Sequence, residues 1–189
     1  VGLSDDAISD SSVRDVSCGS AGVSRYRGGL AGRCNGDISM CTAAGGKVIG
    51  AYDYTYVGGL VGYCEGSMSD SRASVEVSGE DYLGGLAGYS RGQVAGCQAN
   101  GDVDGRFGGN NVGGLIGHSY GKVSNSHASG NVYVPSGRYV GGLIGSSRAE
   151  VSNCYATGSV SGGNYRGGLI GDSDSPVLEC YATGHVESA

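Results

Sequence analysis

A five-residue string, G-G-L-(A/V/I)-G, occurs six times in this sequence, at intervals of 26 to 30 residues. Its copies begin at Gly28, Gly58, Gly84, Gly113, Gly141 and Gly167, and Val1-Gly2-Leu3 is a decayed seventh copy. A second string, such as VSNCYATGSV at 151–160, begins ten residues after the first glycine of each full copy. Nearly all differences in length fall between that second string and the next pentad. A unit this short cannot bury an apolar face alone, so the units are predicted to stack.

The second string alternates as a β-strand does. In 151–160, Cys154, Ala156 and Val160 share a small, apolar face, whereas Tyr155 and Thr157 share the opposite one. A period of two predicts a strand, and stacking like on like makes an in-register parallel sheet. Because parallel crossovers are almost always right-handed, we expect an all-β, right-handed parallel β-solenoid (β-helix) of about seven coils. A single repeat domain is expected over 1–189, with a degenerate first coil.

The G-L-apolar-G core followed by V-S-N-(S/C)-x-A-x-G-x-V resembles the GLUG repeat, and six copies carry the resemblance over nearly the whole chain. GLUG repeats occur in tandem in bacterial and archaeal surface proteins, including haemagglutinin-like adhesins and regions of IgA1-specific metallopeptidases. The resemblance therefore implies a surface-exposed, non-catalytic module. The first copy departs from the pattern, and no zinc-peptidase motif such as H-E-x-x-H is present.

The pentad leucine is the one large apolar residue that recurs in every full unit. We predict an inward structural column of Leu30, Leu60, Leu86, Leu115, Leu143 and Leu169. The following position is also apolar, and in a plain strand it would point outward; it holds Ala31, Val61, Ala87, Ile116, Ile144 and Ile170. Either a kink at the double glycine, which tolerates unusual dihedral angles, turns both residues inward, or the isoleucines form an exposed stripe.

Composition excludes several classes of protein. The formal net charge is −6 and the 12 basic residues are scattered singly, whereas surfaces that bind nucleic acid cluster Lys and Arg. No run of 18 apolar residues exists, so we expect no membrane insertion. Trp is absent and Phe occurs once, so the core is predicted to be narrow and built from small side chains.

The pentapeptide GHSYG at 117–121 matches the G-x-S-x-G string of many hydrolases. The same slot reads GRCNG, GYCEG and GYSRG in other units, so the match is a product of duplication. A nucleophile elbow also needs a strand-to-helix turn, and no helical period is present. We predict that Ser119 is inert, that the pentapeptide is a corner of the coil, and that the protein is not an enzyme.

The seven cysteines fall mostly into two slots that serine fills in other units. Cys41, Cys97, Cys154 and Cys180 share one slot with Ser71 and Ser126, and Cys34 and Cys64 share the other with Ser90, Ser119, Ser147 and Ser173. Such interchange indicates a demand for a small residue, since buried Cys behaves as a small hydrophobe. Zinc would need four converging ligands, so no metal site and no cofactor is predicted. An odd count leaves at least one free thiol, and Cys34–Cys41 and Cys34–Cys64 are the candidate disulfides.

Acidic residues and histidines give weaker signals. NGDVDG at 100–105, Asp5-Asp6, Asp172 and Asp174 could supply oxygen ligands for calcium. An EF-hand loop needs a glutamate at its twelfth position, where this chain has Asn111. Turn-forming aspartate is the favoured interpretation, and calcium at an edge stays an alternative. His118, His127 and His185 lie in different slots and are predicted to face solvent.

Tyrosine precedes five of the six pentads at one offset, and Asn111 replaces it once. We predict that this column of Tyr26, Tyr56, Tyr82, Tyr139 and Tyr165 packs against the coil as a structural ladder. The variable edge mixes Tyr, Arg, Asn and Gly as binding loops do. Its candidate binding residues are Tyr52, Tyr54, Arg106, Phe107, Asn110, Tyr133 and Arg138. Plain solvated loops are the alternative.

Together these features predict a non-enzymatic structural or adhesive solenoid that is extracellular or on the cell surface. No polar capping unit closes either end, so we expect either a slice of a longer adhesin or copies that stack end to end into a fibre. The expected partners are therefore copies of the chain, further coils, or a host or cell-surface glycan or protein. The alternative is a substrate- or glycan-binding accessory region of a larger secreted enzyme. An ice- or polysaccharide-binding face is a third, weaker option, since only Thr157 and Thr183 stand in rank.

Overall fold

The computed structural model describes residues 2–18, 24–51, 55–106 and 108–188. Across these ranges the chain forms short parallel strands and no helix, and thus no helix long and apolar enough to cross a membrane. Each turn of the chain contributes strands to four sheets, and the turns stack along one axis. Six complete turns follow a first layer that contributes to three of the sheets. The protein is a parallel β-solenoid, as the repeat predicts.

We number the sheets in the order in which one turn visits them. Sheet 1 contains Tyr26–Gly28, Tyr56–Gly58, Leu83–Gly84, Asn110–Gly113, Arg138–Gly141 and Arg166–Gly167. Sheet 2 contains Leu3–Ser4, Ala31–Cys34, Val61–Cys64, Ala87–Ser90, Ile116–Ser119, Ile144–Ser147 and Ile170–Ser173. Sheet 3 contains Ile8–Ser9, Ile38–Ser39, Met68–Ser69, Val94–Ala95, Val123–Ser124, Val151–Ser152 and Val177–Leu178.

Sheet 4 begins with three long strands, Ser12–Cys18, Thr42–Ile49 and Arg72–Ser78. Each later turn contributes two short strands to it: Gln98–Ala99 and Val103–Asp104, His127–Ala128 and Val132–Val134, Tyr155–Ala156 and Val160–Gly162, Tyr181–Ala182 and Val186–Glu187. We call the stacked turns layers 1 to 7; they cover residues 3–18, 26–49, 56–78, 83–104, 110–134, 138–162 and 166–187.

Equivalent positions of successive layers pair directly with one another. Ile116, for example, pairs with Ala87 on one side and with Ile144 on the other. The register slips once, in layer 2, where two residues face one in layer 3. Gly45 and Gly46 accommodate this bulge, with φ angles of 72° and 80°, a region that glycine enters without steric cost.

Both apolar positions of the pentad are inside. The leucines of layers 2 to 6 are buried, and Leu169 in layer 7 is half-buried. The following residues, from Ala31 to Ile144, are fully buried. The kinked alternative is therefore correct, and no isoleucine stripe faces solvent in layers 2 to 6.

Close backbone packing, rather than an unusual dihedral angle, explains the double glycine of the pentad. The pentad glycines do not have positive φ angles. A Cβ atom at Gly59 would lie 2.1 Å from the carbonyl oxygen of Gly85 in the next layer. One at Gly62 would lie 2.6 Å from the carbonyl oxygen of Tyr56 in its own layer. The strands of sheets 1 and 2 thus fold back on each other with their backbones in contact, and only glycine leaves the necessary room.

The corner between sheets 3 and 4 has a left-handed residue in every layer. The positions are Asp10, Met40, Asp70, Gly96, Asn125, Asn153 and Glu179. Five of the seven are Asp, Asn or Gly, the residues that adopt this conformation most readily. The N of V-S-N-(S/C) is therefore a turn residue, and the small residue after it points back into the core.

Candidate functional site

Four of the candidate binding residues lie where the chain passes from sheet 4 of one layer to sheet 1 of the next. Arg106, Asn110, Tyr133 and Arg138 are exposed at this edge. Tyr52, Tyr54 and Phe107 belong to the predicted set but lie outside the described residues.

Layer stacking brings the four described residues into one patch, which we call the loop edge. Asn110 pairs in register with Arg138, and Tyr133 pairs with Asp104. The Asp104 carboxylate forms an ion pair with Arg106. Asn110 is fixed further because its side-chain amide donates to Asp81 Oδ1 at 3.0 Å. The loop edge therefore presents guanidinium, amide and phenol groups from layers 4 to 6; their binding role stays a prediction.

Ser119 of the GHSYG string is a buried corner residue. Its side chain is inaccessible to solvent, and its Oγ donates to the carbonyl oxygen of Gly121 at 2.9 Å. The residues in the equivalent slot do the same, each to the carbonyl two residues ahead: Cys34, Cys64, Ser90, Ser147 and Ser173. The slot thus requires a small side chain with one hydrogen to donate, which explains why Ser and Cys interchange.

The second Ser/Cys slot, at the corner between sheets 3 and 4, also ties neighbouring layers together. Ser71 Oγ donates to the carbonyl oxygen of Ser69 at 2.8 Å and accepts the Cys41 backbone N–H at 3.1 Å. Ser126 repeats this arrangement with Ser124 and Cys97. Hydroxyl and thiol groups in this slot therefore form hydrogen bonds with backbone groups.

All seven cysteines lie within the described ranges and are free thiols. Neither candidate disulfide, Cys34–Cys41 or Cys34–Cys64, is formed. Burial raises the pKa of Cys64 to about 12 and that of Cys154 to about 11. Since the thiolate is the reactive form, burial keeps these two side chains protonated at neutral pH.

The prediction that all three histidines face solvent is wrong for His118. Its ring is only 8% exposed, and it stacks on Tyr89 with centroids 5.3 Å apart. Its Nδ1 lies 3.4 Å from Asn111 Oδ1, and its Nε2 has no hydrogen-bond partner within the described part of the chain. Burial lowers the pKa of His118 to about 4, and the Arg148 guanidinium acts in the same direction. His127 is half-buried and stacks on Tyr155, and His185 is exposed.

The predicted tyrosine column is a stack of rings on the outer side of sheet 1. Tyr26 and Tyr56 stack with centroids 5.4 Å apart, and Tyr56 and Tyr82 with centroids 4.7 Å apart. Asn111 interrupts the column in layer 5, and Tyr139 stacks on Tyr165 beyond it.

A second aromatic column, on sheet 2, went unnoticed in the sequence. Tyr63 and Tyr89 stack at 4.8 Å, and His118 continues the stack. The two columns interlock, because Tyr56 meets both Tyr63 and Tyr89 edge to face at 5.5 Å. The signal is in the sequence, since the residue directly after the pentad reads Arg33, Tyr63, Tyr89 and His118 in successive layers.

Charged groups close the sides of this aromatic cluster. The Arg33 guanidinium lies over the Tyr63 ring, 5.0 Å from its centroid. Glu65 accepts a hydrogen bond from the Tyr63 hydroxyl at 2.9 Å and forms ion pairs with Arg33 and Arg91. Burial and this hydrogen bond raise the pKa of Tyr63 to about 12. The faces of these rings pack against other rings of the cluster, so the cluster acts mainly as a packing layer on the outside of sheets 1 and 2.

The acidic residues that suggested calcium have other partners. Asp172 and Asp174 both pair with Arg148, and Asp102 Oδ1 accepts the Asn131 backbone N–H at 2.7 Å. Within the described residues no group of three or more His, Cys, Asp or Glu side chains is placed to hold a metal ion. The turn interpretation fits Asp102, whose carboxylate joins two layers.

Comparison with known proteins identifies the repeat. Residues 108–133 and 136–161 each match the model of the GLUG motif. These two matches coincide with the loop and strands of layers 5 and 6. Searches of curated proteins and of solved structures found no match.

Proposed function

We propose that this chain, a member of the GLUG-motif repeat family, is a non-enzymatic structural repeat domain of an extracellular or cell-surface protein, and that a further coil of the same kind covers its last layer. The observation that carries the proposal is the exposure of layer 7. Val177 and Val186 are 42% and 45% exposed, whereas the equivalent Val151 and Val160 of layer 6 are fully buried. An uncovered apolar cross-section of this kind favours contact with another layer.

Layer 1 has the groups that such a contact requires. Cys154 donates its backbone N–H to Cys180 Sγ, as Cys41 and Cys97 donate to the serines of the layers that follow them. Ser11 in layer 1 has the same corner geometry, because its Oγ donates to the Ser9 carbonyl at 2.9 Å. It can therefore accept the Cys180 N–H of another copy. Ile8 would continue the apolar column that ends at Val177.

Light scattering, electron microscopy and hydrogen exchange on the 189-residue chain test this proposal. Stacking of copies predicts concentration-dependent rods. Covering by further coils of a longer chain predicts a monomer whose layer 7 amides exchange much faster than those of layer 6. A concentration-independent monomer with equal protection in both layers would overturn the proposal, because layer 7 would then need no cover.

The loop edge supports a second candidate function, adhesion to a glycan or protein, including service as an accessory region of a larger secreted enzyme. Tyr133 is 47% exposed and lies in the same patch as Arg106 and Arg138. Exposed Tyr and Arg are the residues that most often anchor binding interfaces. Screening against cell-surface glycans and matrix proteins tests this candidate. Replacing Arg106 and Tyr133 with Ala should abolish any binding found, whereas replacing the exposed Thr157, between the two sheet 4 strands of layer 6, with Ala should not change it.

A further inference from the structure

Two pairs of cysteines occupy the same slot in consecutive layers. Cys34 and Cys64 pair in register in sheet 2. Cys154 and Cys180 lie at the corner after sheet 3, between residue pairs that are also in register. The other thiols have no such neighbour, since Ser71 separates Cys41 from Cys97 and Cys18 pairs with Val48.

Within each pair the two sulfur atoms are related by a simple shift of one layer. Cys154 Sγ lies 3.1 Å from the carbonyl oxygen of its second preceding residue and 3.7 Å from the Val123 carbonyl. Cys180 Sγ has the same two distances, 3.1 Å and 3.7 Å, to the equivalent carbonyls. Cys34 and Cys64 are each 3.2 Å from the carbonyl two residues ahead, and 3.7 Å and 4.0 Å from the equivalent carbonyls of the preceding layer. Equivalent contacts indicate equivalent rotamers, which place the two sulfur atoms of each pair roughly one layer spacing apart, about 4.8 Å.

This spacing is wrong for a disulfide and right for a linear metal bridge. A disulfide requires about 2.05 Å between sulfur atoms. Metal–thiolate bonds are about 2.3 Å long, judged from zinc sites, so two collinear bonds span about 4.6 Å. Zinc takes four ligands, whereas the soft ion Cu⁺ selects thiolates and is satisfied by two.

We propose that each cysteine pair binds one soft d¹⁰ cation, Cu⁺ or Ag⁺, between two layers as a linear bis-thiolate. Each thiol gives up its proton to solvent, and its S–H···O=C contact is replaced by a metal–sulfur bond. Two protons leave for each ion bound, and no electron is transferred. The proposal does not depend on the structural role argued above.

The Cys154–Cys180 pair is the more accessible of the two. Cys180 is half-buried in layer 7, whereas Cys34 and Cys64 are fully buried. The Cys154 backbone N–H lies 3.3 Å from Cys180 Sγ. We therefore expect this site to load first and the Cys34–Cys64 site to load slowly, through transient opening of the layers.

Proton release makes binding depend on pH. The ligands bind as thiolates, whereas a cysteine side chain is ordinarily a thiol at neutral pH, so each ion displaces two protons. The apparent affinity should rise about 100-fold for each unit of pH.

Serine variants test the sites without disturbing the fold, because serine already fills both slots in other layers. The reduced chain is titrated anaerobically with Cu⁺ in competition with a chromophoric Cu⁺ chelator, and bound copper is counted by native mass spectrometry. The parent should hold two ions, Cys64→Ser and Cys180→Ser one each, and the double variant none. Cys97→Ser, which removes an isolated thiol, should still hold two.

A gain of binding provides the complementary test. Ser71→Cys joins Cys41 and Cys97 into an unbroken column and should add a further ion. X-ray absorption should show two sulfur ligands per copper. Copper lost equally in Cys97→Ser, retained in the double variant, or bound by three or more ligands would overturn the proposal. One ion lost only in Cys180→Ser would confine it to the Cys154–Cys180 pair.

Discussion

At the scale of single residues, the serine and cysteine side chains at the corners of the coil stabilise the fold by donating hydrogen bonds to backbone carbonyls. Ser119 Oγ is buried and its hydrogen is directed to the Gly121 carbonyl. Cys64 and Ser90 make the same bond in layers 3 and 4. A catalytic serine must instead reach a substrate and transfer its proton to a base. GHSYG therefore resembles a nucleophile elbow in sequence but not in structure.

Ser119→Ala should lower the free energy of unfolding by about 1 to 2 kcal/mol, because the Gly121 carbonyl loses its buried donor. Ser119→Cys, which installs the residue used in layers 2 and 3, should cost less. Urea unfolding measures both. Any ester hydrolysis by the chain should be the same in parent and variants; activity that disappears in Ser119→Ala would contradict a purely structural role.

His118 should make stability fall in mild acid. Its pKa is about 4 in the folded chain, against 6.5 for an unperturbed histidine. Above pH 6.5 the ring is neutral in both the folded and the unfolded chain, and the full stability is present. As the pH falls from 6.5 to 4, the unfolded chain binds a proton at this ring and the folded chain does not, so the free energy of unfolding decreases. The shift corresponds to about 3 kcal/mol. Thermal unfolding of the parent and of His118→Gln across this range measures it. An equal acid-induced loss in both proteins would rule His118 out as the cause.

At the scale of elements, the contact between sheets 1 and 2 is the most demanding feature of the turn. The two strands of a layer fold back on each other, and each also packs against the next layer. All five pentad positions are therefore glycine or face the core. Outside this fold-back the rings of Tyr56, Tyr63 and Tyr89 interlock and cover the joint.

Gly59→Ala should destabilise the chain by about 3 kcal/mol or more, or prevent folding, because the new methyl group meets a backbone carbonyl that cannot move alone. Its Cβ would lie 2.1 Å from the Gly85 oxygen. Gly2→Ala is the matched control, since nothing lies within 4 Å of a Cβ there. Circular dichroism and urea unfolding compare the two. A Gly59→Ala chain as stable as Gly2→Ala would show that the fold-back is looser than described.

At the scale of the whole molecule, the first and last layers have equivalent hydrogen-bonding groups at the corner after sheet 3 but carry like charges. If copies stack in register, Asp174 comes next to Asp5 and Glu179 next to Asp10 of the neighbour, by continuation of the columns. Like charges directly opposite each other destabilise a sheet. Direct stacking should therefore be weak at low ionic strength and strengthen as salt screens the carboxylates.

Removing these charges should strengthen end-to-end association. The double variant Asp174→Asn, Glu179→Asn uses residues that the chain already has in the same columns, Asn35 and Asn153. We expect its association constant to rise on the order of tenfold at low salt, measured by sedimentation. Glu76→Gln with Glu150→Gln changes the net charge equally, away from the terminal layers. A similar rise in that control would assign the effect to net charge rather than to end contact.

Sequence alone determined the fold class, the layer period and the inward leucines, because in a solenoid each of these depends on residues within one unit and on its identical neighbour. The alternation of buried and outward side chains over 154–160 follows from a period of two, and the column of Leu115 follows from the repeat of the whole unit. Interchange of Cys and Ser between units likewise identifies the small-residue slots from the sequence alone. The sequence pattern of one unit is enough to predict the fold where each layer makes the same contacts as the layer before it.

Tertiary structure decided what depends on contacts between different positions of the turn. Only the fold-back of sheets 1 and 2 places Ile116 inside and sets Tyr56 against Tyr63, since these residues belong to different strands and no periodicity relates them. The same contact buries His118, which was predicted from the sequence to face solvent. The stacking distance between Cys154 and Cys180 is also a property of the assembled layers, because the sequence shows that two thiols share a slot but not that their rotamers coincide. Periodicity specifies which residues lie above one another, and packing across the turn decides which of them meet.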